Sequence, residues 1–103
     1  MNQQDREELI GYRITKAKDT LQEVNLHIEN ELWNTAVNRL YYACYYAVSA
    51  LLIDKKIKTK SHKGVRQMFG LHYVKPGLID KNLAKFFTDL YDLRQTWDYD
   101  DFI

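Results

Sequence analysis

Apolar residues recur at helical intervals from early in the chain. Ile10, Ile14, Ala17, Leu21, Val24 and Ile28 alternate steps of four and three positions and so make one continuous seam. This predicts a first helix over roughly 3–29. Asn2 is placed to cap it, with Asp5 three residues on, and the acidic Asp5, Glu7 and Glu8 suit the positive end of the helix dipole. Gly11 inside it costs about 1 kcal/mol against alanine, which leads us to expect a neighbour packed closely there. After a short connection around Asn30 and Glu31, a second helix is predicted from about Leu32 to Asp54. Trp33, Ala36, Val37, Leu40, Cys44, Ala47, Val48 and Leu51 form its stripe, and Tyr41, Tyr45 and Leu52 widen that stripe past half the circumference. A helix apolar on most sides belongs in the middle of a bundle or at a subunit interface. Ala36, Ala43, Ala47 and Ala50 let neighbouring backbones approach. Four of the eight tyrosines, Tyr41, Tyr42, Tyr45 and Tyr46, add broad amphipathic area whose hydroxyls need partners if buried.

Ser61 then reads as the cap of a short helix running through about Phe69 to Tyr73, with Val65, Met68, Phe69 and Leu71 or His72 on its apolar side. Pro76 and Gly77 make the turn that ends it. Asp80 caps a last helix in which Leu83, Phe86, Phe87, Leu90, Leu93 or Arg94, and Trp97 keep helical spacing. No segment alternates with period two long enough to be a strand, and breakers are few, with four Gly and one Pro. The expectation is an all-α, antiparallel up-and-down four-helix bundle whose first two helices form a hairpin.

At 103 residues and without a linker, positions 1–103 make a single domain, and 46% hydrophobic with 28% charged residues is ordinary for a folded chain. The longest stretch without charge, Leu40 to Ile53, is 14 residues, short of the roughly 20 a membrane-spanning helix needs, so no membrane partner is expected. Asn2, Gln3, Gln4 and Asp5 make a polar opening with no apolar signal segment, and the single cysteine, Cys44, has no partner for a disulfide. Both point to a reducing cytoplasm. Net charge is only +1, but it is unevenly placed: residues 54–66 carry six Lys/Arg against one Asp. This block, Lys55, Lys56, Lys58, Lys60, Lys63 and Arg66 with His62, is either a solvated loop or a local anion site.

Enzyme signatures are sparse. His27, His62 and His72 are far apart and lack paired carboxylates, so neither a metal nor another cofactor is implied. Cys44 sits mid-helix in an apolar surround, where thiols are inert. There is no Gly-rich phosphate loop, no GxSxG and no HExxH. Arg39 and Arg94 are harder to dismiss, because each sits where the apolar pattern would accept a leucine. A guanidinium near a core demands a carboxylate, a phosphate or several carbonyls. One reading is an internal salt bridge, to Asp98, Asp92 or Glu31 for example; the other is a groove in which Arg39, Arg94, His62 and the lysine-rich loop hold a phosphate backbone.

Three runs carry a resemblance. Ala36-Val37-Asn38-Arg39-Leu40-Tyr41-Tyr42-Ala43-Cys44-Tyr45-Tyr46-Ala47-Val48, then Ser61-His62-Lys63-Gly64-Val65 with Phe69, and finally Arg94-Gln95-Thr96-Trp97-Asp98-Tyr99, in this order and across about residues 10 to 100, resemble the HEPN superfamily. The likeness is to its small stand-alone bacterial and archaeal members. It implies a helical bundle that dimerises, often as the toxin half of a pair with a minimal nucleotidyltransferase, and in active members a metal-independent RNA endonuclease. That nuclease motif is an Arg followed a few residues on by a His, the two protomers' motifs facing each other. Arg94 matches the Arg and Gln95 the polar residue beside it, but Tyr99 stands where the His belongs, and no His follows Arg94. An imidazole exchanges a proton near neutral pH, whereas a tyrosine with pKa about 10 is a poor base. His62 would substitute if the short helix carries it to Arg94. The resemblance also makes Tyr99 a candidate acceptor of AMP groups from a partner. Similar proteins run on through another helix, so apolar surface at Trp33, Phe86 or Trp97 is expected to be left for a second copy or a partner.

The reading that follows is a HEPN-type binding or regulatory module, the toxin-like half of such a pair, holding RNA or a nucleotide through Arg39, Arg94, His62 and the loop and helix cations Lys58, Lys60, Lys63 and Arg66. Its rivals are an endoribonuclease using Arg94 with His62 or Tyr99, and a non-catalytic interaction scaffold whose polar residues are all structurally satisfied.

Overall fold

The computed structural model describes the backbone of residues 1–100 and the side chains of residues 1–95. Four helices follow in order: α1 (Gln3–Glu29), α2 (Trp33–Asp54), α3 (His62–Phe69), continued by a π-helical turn (Gly70–Val74), and α4 (Lys81–Asp100). Among the described residues there is no strand. The boundaries have local causes. Asn2 Oδ1 accepts from the Asp5 amide at 2.8 Å, Ser61 Oγ from the Gly64 amide at 3.0 Å and Asp80 Oδ1 from the Asn82 amide at 2.7 Å, so three helix starts are met by side-chain oxygens. Asn30 closes α1, its side-chain amide donating to the Leu26 carbonyl at 2.8 Å. The chain then reverses through Glu31, which takes a left-handed φ of 57°. Lys56 (φ 62°) ends α2 in the same way.

α2 is the middle of the molecule. α1 packs along one side of it, and α3, the π-helical turn and α4 cover the other. The core lies on this second side: Tyr41, Val48 and Leu52 of α2 meet Val65 and Phe69 of α3, Tyr73 of the turn, and Phe87 and Leu90 of α4. Burying side chains of this size is worth about 1.5–3 kcal/mol each. Tyr73 Oη donates to the Leu51 carbonyl at 2.5 Å, and Lys55 Nζ donates to the His72 carbonyl at 2.9 Å while lying 4.2 Å above the Tyr73 ring. These bonds tie the turn to the end of α2.

The other side is open. α1 buries only Thr20 and Val24, and its seam residues Ile14, Leu21 and Ile28 remain 36%, 51% and 45% exposed. The seam therefore covers less than its continuity implied, because α2 is the one element laid along α1. An apolar groove runs between them, lined at one end by Val24, Ile28, Trp33 and Val37 and at the other by Ala17, Leu21, Ala43 and Cys44, with Leu40 shared. The neighbour expected against Gly11 is absent: a Cβ there would meet nothing within 4 Å. Trp33 and Phe86 are about half exposed, as the sequence led us to expect, while the side chain of Trp97 lies outside the described residues. α1 also sets the shape, since 27 residues at 1.5 Å each give about 40 Å against a long axis of 43 Å. No helix among the described residues is long and apolar enough to cross a membrane.

Candidate functional site

The candidate site forms where α3 begins. Ser61 caps that helix, so His62 is its first residue and its ring is turned onto α2. There its Nδ1 lies 2.6 Å from Tyr41 Oη, and its ring stacks on Tyr45 at 4.5 Å and 25°. Tyr41 is wholly buried and edge-on to Tyr42, which stands 6.0 Å from His62. Four residues on, Arg66 lies on the same side of α3 and puts its guanidinium carbon 3.7 Å above Tyr91 of α4. One turn later on α4, Arg94 sets its guanidinium carbon 5.0 Å from the Tyr41 ring, 5.4 Å from Tyr42 and 5.7 Å from Tyr91, with Nη1 donating to Tyr42 Oη at 3.4 Å. A histidine and two arginines thus share a nest of four tyrosines.

The electrostatics follow from that company. Burial, then the positive charges of Arg94 and Arg66, hold the His62 pKa below its ordinary value, so the ring is neutral near pH 7. Burial pushes Tyr41 up to about 12, offset in part by the same two arginines, so its hydroxyl keeps its proton. The contact between them is therefore a hydrogen bond between neutral groups with two forms. When Tyr41 donates to Nδ1, His62 offers an Nε2–H to a ligand; when Nδ1–H donates to Tyr41, Nε2 is a free base. Arg66 Nη1 is buried and lacks a hydrogen-bond partner, an uncommon condition for a guanidinium nitrogen and one a phosphate or carboxylate oxygen would relieve.

The other expected site residues lie elsewhere. Arg39 is ion-paired to Glu23 of α1 at 2.9 Å, a carboxylate the sequence did not single out, in a groove with Tyr12, Thr15, Lys16, Asp19 and Thr20. Lys58 shares a different pocket with Arg6, Leu9, Ile53 and Lys56, and Lys60 and Lys63 are exposed. Of the basic block, Arg66 and His62 lie against the aromatic nest. The Tyr99 side chain, with that of Asp98, lies outside the described residues. Burial raises the Cys44 thiol pKa, which leaves it protonated in its apolar groove. Sequence reasoning took the tyrosines as packing area and missed that Tyr41, Tyr42, Tyr45 and Tyr91 wall the site. The signal was Tyr41 itself, a hydroxyl inside the most apolar stripe and so in need of a polar partner.

Fold and site together define an all-helical bundle protein with a histidine–arginine cleft walled by tyrosines. The chain belongs to the HEPN domain family, whose domain matches residues 10–103. It is 37% identical over 96% of its length to a UPF0332 protein of Thermotoga maritima, of which it spans 75%. Two proteins of Methanocaldococcus jannaschii, each named as a candidate toxin, are 38% and 37% identical over 84% and 96% of this chain, which spans 59% and 73% of them. Among solved structures none matches the chain significantly.

Proposed function

We propose that this chain is a toxin-like HEPN module that binds RNA or a nucleotide in the cleft of His62, Arg66 and Arg94. One observation carries the reading: three groups from α3 and α4 that bind or exchange protons with phosphates converge on one aromatic nest, and a buried Arg66 nitrogen there is left without an acceptor. The names of the Methanocaldococcus relatives support the toxin-like part. In this reading the chain forms a homodimer and pairs with a minimal nucleotidyltransferase, as the resemblance of its motifs implies. Filter binding of single-stranded RNA across a salt series tests the ligand. Affinity that falls steeply with salt and is lost in Arg94→Ala supports the reading, and salt-independent or absent binding leaves the scaffold in its place. Co-purification with the product of a neighbouring nucleotidyltransferase reading frame tests the pairing.

A second reading, metal-independent endoribonuclease, is favoured by the neutral His62 held beside Arg94. In its base form, His62 Nε2 would take the proton of a ribose 2′-hydroxyl as that oxygen attacks the adjacent phosphorus and the 5′-oxygen leaves, taking a proton from water, while Arg94 holds the charge that builds on the phosphoryl oxygens. Incubation of total RNA in EDTA separates the two: cleavage that disappears in both His62→Ala and Arg94→Ala makes the chain an enzyme, and intact RNA keeps it a binding module.

A further inference from the structure

The aromatic nest does not end at His62. On α2, Tyr42 is followed one turn later by Tyr46, their ring centroids 6.1 Å apart, and above Tyr46 lie two cations of α1: the guanidinium carbon of Arg13 at 5.9 Å and Lys16 Nζ at 5.4 Å. Lys16 also stands 5.6 Å from the ring of Tyr12 and donates to its hydroxyl at 3.4 Å, and Tyr12 is 57% exposed. Cations and aromatic rings thus alternate in a band from α1 across α2 to Arg94 on α4. Neither ion pair found among the described residues, Arg39 with Glu23 and Lys85 with Asp89, involves Arg13 or Lys16. The Arg13 Nε is moreover buried with no hydrogen-bond partner, as is the Arg66 Nη1 at the other end. At Arg13 and Lys16 the positive charge faces rings, and a ring over a cation leaves its charge available to an anion.

We propose that Tyr12, Arg13, Lys16, Tyr46 and Tyr42 form a track along which a single-stranded RNA runs into the His62–Arg94 cleft, an inference that rests on the RNA reading of that cleft. The chemistry selects the ligand. Phosphates supply acceptors for the unpartnered Arg13 nitrogen and for Lys16, and unpaired bases supply flat faces for the rings. The step of about 6 Å between rings is nearly twice the roughly 3.4 Å per nucleotide of a stacked strand, so it suits bases splayed apart and not a duplex. Of the two acids lining the adjoining groove, Asp19 and Glu23, Glu23 is engaged by Arg39, which limits its repulsion of a strand on this face.

The test measures binding of fluorescent oligouridylates, from the dinucleotide upward, by anisotropy over a salt series. For the unaltered protein, affinity rises with length until the track is filled. In Arg13→Ala/Lys16→Ala the dinucleotide binds as before, the gain with length disappears, and the salt slope for long oligomers falls by about 1.4, the value for two lost single-strand phosphate contacts. Tyr46→Ala lowers long-oligomer affinity about fivefold or more while Tyr46→Phe does not. Lys75→Ala, an exposed lysine away from the band, changes neither quantity. Should Tyr46→Ala fail to fold, the double variant decides alone. Length-dependent binding that Arg94→Ala weakens but Arg13→Ala/Lys16→Ala leaves untouched overturns the track and spares the cleft, whereas an unaltered protein that binds no oligomer overturns both.

Discussion

His62 is a base kept from its charge, and that leaves a mark on stability. In the unfolded chain an imidazole gains its proton near pH 6.5. In the fold, desolvation and the neighbouring Arg94 and Arg66 postpone that step to lower pH. From about pH 6.5 downward the unfolded state therefore holds more protons, and stability falls until the folded pKa is passed, below which the loss is complete; above about pH 7.5 the residue contributes nothing to the pH dependence. Thermal melts at closely spaced pH should show this loss, and His62→Gln should remove it; an unchanged slope in the variant would mean that the ring is solvated. Tyr41 acts at the other extreme. Its pKa, raised to about 12, lets the folded state keep a proton that the unfolded chain loses near pH 10, so stability falls as pH rises through that interval. Tyr41→Phe should erase the alkaline loss and lower stability at neutral pH by about 1 kcal/mol, the worth of one hydrogen bond. Arg94 was visible in the sequence as a polar residue where the apolar pattern would accept a leucine, and His62 as a member of the basic block. Their common partner Tyr41 was not, because a tyrosine in an apolar stripe looks the same whether its hydroxyl meets a histidine or a carbonyl.

Helices position these groups, and their ends matter most. His62 is the first residue of α3, directly after the Ser61 cap, so whatever fixes the helix start fixes the imidazole. Ser61→Ala is expected to cost about 1 kcal/mol in a denaturant titration and to weaken RNA binding together with stability, and Ser61→Asp to restore both. A loss of stability with binding intact would show that the stacking on Tyr45 holds the ring without the cap. Caps of this kind are readable from sequence because they are made between residues two or three positions apart, as Asn2, Ser61 and Asp80 demonstrate. Gly11 shows the limit of that legibility. Its cost to the helix is local and calculable, but what faces it depends on where other elements lie, and they lie elsewhere. The substitution Gly11→Ala should accordingly raise stability by about 0.5–1 kcal/mol, measured as a higher denaturant midpoint at unchanged slope.

At the scale of the whole molecule, helical periodicity reveals which residues share a face but not how many layers will cover it. The stripe of α2 was wide enough to announce a central helix, and α1 on one side with α3 and α4 on the other bear this out. The seam of α1 carried no such information, and the groove it forms with α2 stays open along Leu21, Leu40 and Cys44. An apolar channel of this length is costly to leave in water, and the proposed homodimer gives it an occupant. Leu21 isolates the question, since a half-exposed side chain contributes little to the fold of one protomer but would be desolvated between two. Leu21→Glu should therefore keep the helical content and, at high dilution, the melting temperature of the unaltered protein. It should shift the light-scattering mass from that of two chains to that of one and abolish the rise of melting temperature with protein concentration that a dimer requires. If the unaltered protein already has the mass of one chain at every concentration, the groove is not a surface between copies, and a nucleotidyltransferase partner becomes the occupant to test by co-purification with the same variant.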